Sequence, residues 1–109
     1  IDIPVPVWTR SGDEFVITSP SGRQYVCPAD GDYGVLIVAR SVQLGRWAIL
    51  VVGYSGDCTL AGVKLLFDLE RDGQLTQGWW VYRLTSSPDK IPRTVSDLSG
   101  YGYVVVENG

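Results

Sequence analysis

The sequence predicts a single α+β domain: a mixed, mostly antiparallel sheet of about five to seven strands with one principal helix at about residues 58–70. Three observations lead there. At 109 residues and 45% hydrophobic, the chain has the size and apolar content of one core rather than two. Its apolar residues fall into strand-length runs separated by Gly, Pro, Ser and Asp. Only the stretch from Cys58 to about Glu70 repeats them at helical spacing.

Ile3-Pro4-Val5-Pro6-Val7-Trp8 is extended, and its two prolines remove ladder donors, so it reads as an edge strand or a surface strap. Glu14 to Thr18 and Arg23 to Cys27 flank Ser19-Pro20-Ser21-Gly22, which is turn chemistry, and predict a hairpin. A loop from Pro28 to Asp32 leads into strands at Tyr33 to Ala39 and Trp47 to Val52. Their connector, Ser41 to Gly45, is short enough for a second hairpin. Gly53-Tyr54-Ser55-Gly56 then turns the chain, Asp57 can cap the helix, and the helix should stop near Asp72-Gly73. Trp79 to Leu84 is a strand, and Tyr101 to Val106 is the last one. The polar stretch from Thr85 to Gly100 is a long loop with room for a helical turn near Val95 to Leu98. Residues 47–84 thus form a strand-helix-strand unit, a crossover if its strands are parallel neighbours. The domain is expected to divide into an N-terminal strap and hairpin (1–28), a hairpin plus strand-helix-strand (33–84), and a loop and last strand (85–109).

On a helical wheel Lys64, Asp68 and Arg71 form a narrow polar stripe, while Ala61, Val63, Leu65, Leu66, Phe67 and Leu69 sweep round most of the rest. Gly62 sits inside the apolar arc. A glycine there weakens the helix by about 1 kcal/mol relative to alanine, and close approach to the sheet is the expected return. Val35 to Ala39, Ala48 to Val52 and Val104 to Val106 are continuous apolar runs rather than alternating ones, the mark of strands buried on both faces. One helix covers one face only. The other should be covered by the N-terminal hairpin, by a second subunit or by a neighbouring domain.

A net charge of −3 argues against a nucleic-acid-binding module, which is normally basic. The chain has no His, which removes Ser-His-Asp and Cys-His mechanisms and every His-ligated metal site within one chain. No apolar run approaches the roughly 18 residues of a membrane helix, and no signal peptide is visible. The sequence lacks Met, so a domain excised from a longer protein is expected. Seven Arg against two Lys is compatible with a GC-rich bacterial source. Cys27 and Cys58 are too few for a disulfide scaffold and read as buried free thiols in a reducing, cytoplasmic setting.

The most suggestive local feature is Gly53-Tyr54-Ser55-Gly56-Asp57-Cys58-Thr59, where strand meets helix. Free amides and the helix dipole attract anions at such a junction. The spacing is G-x-x-G, neither a dinucleotide fingerprint nor a Walker loop, and Asp57 puts a negative charge where a phosphate would sit. Gly53-Tyr54-Ser55-Gly56 resembles the first half of the nucleophile elbow of the α/β-hydrolases. Asp57 replaces its last glycine, and neither the chain length nor the absence of His allows that assignment. Cys58, in the first helical turn, is the candidate for a lowered thiol pKa. Asp30-Gly31-Asp32 does not meet the calcium-loop pattern and reads as a solvated turn. Trp79 and Trp80 point to opposite faces of one strand, and Tyr101 and Tyr103 share a face. Exposed, these four would form an aromatic interaction surface.

The expected function is a non-catalytic interaction or regulatory module of a larger bacterial protein. It would use an apolar sheet face, from Val35–Ala39, Ala48–Val52 or Trp79–Tyr82, for self-association or partner binding. The alternative is a small-ligand domain holding an anion on Gly53, Ser55, Gly56, Asp57, Cys58 and Thr59. A cysteine-based enzyme acting through Cys58 comes third. No catalytic constellation, metal site or cofactor motif is read. The expected partner is a protein or a second copy, not nucleic acid or membrane.

Overall fold

Gly12 makes the first reversal possible. Its φ of +59° is open to glycine and strained for other residues, and it closes a two-residue loop between β1 (Val7–Ser11) and β2 (Glu14–Thr18). The computed structural model describes residues 4–88 and 97–109; the first half of the helical turn expected at residues 95–98 lies outside them. β3 (Gln24–Cys27) pairs with β2 through the Ser-Pro-Ser-Gly turn, where Gly22 N donates to Ser19 O at 2.9 Å. These strands form a three-stranded antiparallel sheet in the order β1-β2-β3.

The second sheet holds β4 (Tyr33–Ser41), β5 (Arg46–Gly53), β6 (Gly78–Ser86) and β7 (Gly102–Asn108), in the order β5-β4-β6-β7. Among the described residues the architecture is α+β with seven strands and one helix, but it corrects two expectations. These residues form two sheets rather than one mixed sheet, and every pairing among them is antiparallel. The strands flanking the helix are also not neighbours, because β5 and β6 each pair antiparallel with β4, which lies between them. The reason is burial. β4 is the strand with apolar residues enclosed on both faces from Val35 to Ala39, so the central place satisfies it best.

The helix, α1 (Gly56–Arg71), starts two residues before the expected Cys58. It ends as expected at Asp72-Gly73. Gly73, at φ +69°, takes the left-handed position and Gln74 N returns to Leu69 O at 2.8 Å. α1 packs on one face of the four-stranded sheet, against Leu36, Val38, Trp80 and Tyr82, through Cys58, Ala61 and Leu65. The three-stranded sheet packs on the other face, where Phe15, Ile17, Tyr25 and Cys27 meet Val35, Ile37, Trp79 and Val81. Both faces of β4 and β6 are therefore covered within one chain. Each fully buried Val, Leu, Ile or Phe adds about 1.5–3 kcal/mol of burial free energy.

A polar clasp joins the two sheets at their far end. Tyr25 Oη on β3 donates to Glu107 Oε1 at 2.8 Å, and Ser21 Oγ donates to Glu107 Oε2 at 2.9 Å. Burial and the Glu107 carboxylate push the Tyr25 hydroxyl up to about 12. Burial also pushes the Glu107 carboxyl up, but hydrogen bonds from Ser19, Tyr25 and Ser21, with Arg23 nearby, outweigh it and hold the group below its usual 4.5. A depressed folded pKa stabilises the protein above the unfolded value, and that contribution is lost as pH falls through the folded value. Glu107→Gln should therefore lower stability by about 1 kcal/mol at pH 7. It should also flatten the loss seen below about pH 4.5. Urea midpoints from pH 3 to 7 measure both effects.

Candidate functional site

The strand-to-helix turn is closed by its own side chains. Ser55, extended at φ −107° and ψ 165°, is the N-cap, and its Oγ accepts from Cys58 N at 3.1 Å. This corrects the expectation that Asp57 caps the helix. Asp57 lies in the first turn, where a carboxylate complements the dipole. Thr59 N donates to Ser55 O at 3.0 Å, and Gly53 N donates to Thr59 Oγ1 at 3.1 Å. The amides of Gly53, Cys58 and Thr59, offered by sequence to an anion, are thus already bonded. The Ser55 hydroxyl donates to the Asp32 carboxylate, which brings a negative charge to the same helix end. Ser55 serves at once as cap acceptor and carboxylate-bound donor.

Cys58 is fully buried. Burial, then the Asp32 charge and its hydrogen bond, push the thiol well above its ordinary 9.0, overriding the helix N-terminus. Cys27 is raised as well, by burial first. Both thiols are free. Native protein should react with a thiol reagent near neutral pH at least a hundredfold more slowly than urea-unfolded protein. Time-resolved mass spectrometry reads this directly, and fast native labelling of Cys58 would contradict the burial.

Trp79 and Trp80 do point to opposite faces, but both lie in the core, at 7% and 8% exposure. Tyr101 is buried, and the half-buried Tyr103 donates its hydroxyl to Asp68 on α1. The four aromatics tie the helix and sheets together and do not form the surface the sequence suggested. Among the described residues no group of three or more His, Cys, Asp or Glu is placed to hold a metal ion. Among the same residues no helix is long and apolar enough to cross a membrane.

The exposed apolar surface lies elsewhere. β5 is an edge strand, and its first half is uncovered: Trp47, Ile49 and Leu50 are 49%, 46% and 43% exposed. Leu50 lies beside Ile37 and Ala48 beside Ala39, facing the three-stranded sheet. The strap from Val5 to Trp8 does not close on them, leaving an open groove of about 490 Å³ with almost wholly apolar walls. Trp47 and Ile49 point to the opposite face, and Val42 and Leu44 stand out at the hairpin tip.

The edge also offers backbone. Leu84 N donates to Asp32 O at 2.8 Å and Tyr54 N to Tyr33 O at 3.0 Å. Antiparallel bonding alternates, so even-numbered residues of β4 bond β6 and odd-numbered ones bond β5. The groups of Trp47, Ile49 and Val51 then point away from β4, along the open edge. Of the sequence-named patch, Ala48–Leu50 is exposed, whereas Val35–Ala39 and Trp79–Tyr82 are buried. The strap as a groove wall and the exposure of Trp47 were not anticipated. Their signal was a six-residue apolar run, Trp47–Val52, directly after a hairpin tip. The chain matches no protein-family model, no curated protein and no solved structure.

Proposed function

We propose that this protein is a non-catalytic interaction module that receives an extended partner segment along β5. One observation carries the reading: an edge strand, unpaired on its outer side among the described residues, bears an exposed apolar run beside an open apolar groove. Edge strands are normally blunted by proline, inward charge or a bulge. Trp47–Val52 holds no proline and no charge, and its pairing with β4 is unbroken. A strand added there would gain ladder bonds from Trp47, Ile49 and Val51 and lay alternate side chains over the groove. The anion-binding alternative draws less support, since the amides of Gly53, Tyr54, Cys58 and Thr59 are engaged internally and Asp32 and Asp57 bring negative charge to the same turn.

A short soluble probe tests this: a fluorescein-labelled nine-residue peptide of alternating Val and Thr with a Glu at each end. Leu50→Lys places a charge in the groove. It should weaken peptide binding at least tenfold by anisotropy while moving folding stability by less than about 0.5 kcal/mol. With the protein held dilute enough to be monomeric by light scattering, equal binding by wild type and Leu50→Lys, or no binding by either, would reject the reading.

A further inference from the structure

We infer that the segment docking on β5 is β5 of a second copy of this chain, paired antiparallel about a two-fold axis near Ile49. This rests on the docking reading above and names its partner. The strand is self-complementary about that point. A two-fold axis perpendicular to the sheet keeps each face on its own side, so opposed residues must share parity. Centring on Ile49 sets Ile49 opposite its own mate, Trp47 opposite Val51 and Ala48 opposite Leu50, each a large residue against a smaller or equal one. The outward backbone groups of Trp47, Ile49 and Val51 then meet the same groups of the other copy in hydrogen-bonded register. Leu50 of each copy extends the groove floor of the other beside Ala48.

Charge agrees with a second copy. From Tyr33 to Gly53 the hairpin carries Arg40 and Arg46 and no acidic residue. The whole chain holds 9 basic and 12 acidic residues, so the remainder has 7 basic against 12 acidic and is net −5. In the paired arrangement each positive hairpin tip reaches past the other copy's β5 towards that acidic body. The two Arg46 side chains stand six positions apart along the ladder, roughly 20 Å. That exceeds the Debye length of about 8 Å at physiological salt, so their repulsion is screened.

Two measurements test it. The first is mass by light scattering at roughly 1 and 200 µM, for wild type, Ile49→Lys and Phe67→Lys. Ile49→Lys sets two ammonium groups opposite each other on the axis. Phe67 is equally exposed, at 47%, but lies on α1 away from the edge. Wild type and Phe67→Lys should reach the dimer mass, with Ile49→Lys at least tenfold weaker. The second is oxidative trapping. A hydrogen-bonded pair sits about 5.5 Å apart at Cα, within disulfide reach, so Ile49→Cys should link the two copies. Trp47→Cys should not, because its mate lies about 13 Å along the strand. The native Cys27 and Cys58 are buried and give little background.

A wild type that stays monomeric yet still captures the Val/Thr peptide overturns the second copy and leaves the docking reading standing. A monomer that captures no peptide overturns both. A dimer indifferent to Ile49→Lys, or trapped as readily through Trp47→Cys, overturns the β5 axis. A monomer that sediments with phosphatidylglycerol vesicles through Val42 and Leu44 assigns the hairpin to a lipid surface instead.

Discussion

Gly62→Val lowers the unfolding free energy by about 3 kcal/mol or more in a urea melt. The cause is the closeness of α1 to the sheet. A Cβ on Gly62 would fall against the Tyr82 hydroxyl and within 2.5 Å of Val51 Cγ1, inside the 3.0 Å that real contacts avoid. Tyr82 cannot give way. It is fully buried, its hydroxyl donates to Cys58 O at 2.8 Å, and Gly34 confines the same ring from β4. Gly62→Ala decides the sign, because alanine adds about 1 kcal/mol of helix propensity against the collision. Net destabilisation is expected, and Tyr82→Phe should relieve part of it by removing the atom nearest the new methyl. That coupling is what a double-mutant cycle reads. A stabilised Gly62→Ala would mean that the helix sits farther from the sheet.

Gly53→Ala should cost about 2–4 kcal/mol, and here nothing soft is available to move. The added methyl would lie 2.6 Å from Thr59 N and 2.7 Å from Cys58 C, both backbone atoms of the first helical turn. Relief requires shifting α1 and its bonds to Gly53 and Ser55. Gly56→Ala provides the contrast. Its Cβ would meet nothing within 4 Å, and a helical alanine is favoured, so a neutral or slightly stabilised protein is expected. Thermal midpoints of the pair separate an architectural turn from one whose two glycines act alike.

The local elements were legible because their causes are local. Ser19-Pro20-Ser21-Gly22 and the short Ser41–Gly45 connector announce two hairpins, and the structure has both. The 3.6-residue spacing of Ala61, Leu65 and Leu69 announces α1, and Gly73 its end. Gly62 was legible as a point of close approach, since a glycine inside an apolar arc is otherwise a weakness. The cap was less so. Ser55 and Asp57 both suit the position, and Asp32, 23 residues away, engages the Ser55 hydroxyl.

By itself, then, the sequence determined six of the strands, two of the hairpins and the helix, all properties of neighbouring residues; the β1–β2 hairpin, which starts at Val7 rather than within the expected strap at residues 3–8, it did not show. Only the tertiary structure decided that β2 and β3 leave the main sheet to cover it, and that Trp79, Trp80 and Tyr101 are core. It also decided which apolar strand is left open. Val35–Ala39 and Ala48–Val52 read alike, yet β6 pairs with β4, enclosing the first run and leaving the first half of the second at the sheet's edge. A strand's partners are set by contacts between residues far apart in the chain, and periodicity within the strand carries no record of them.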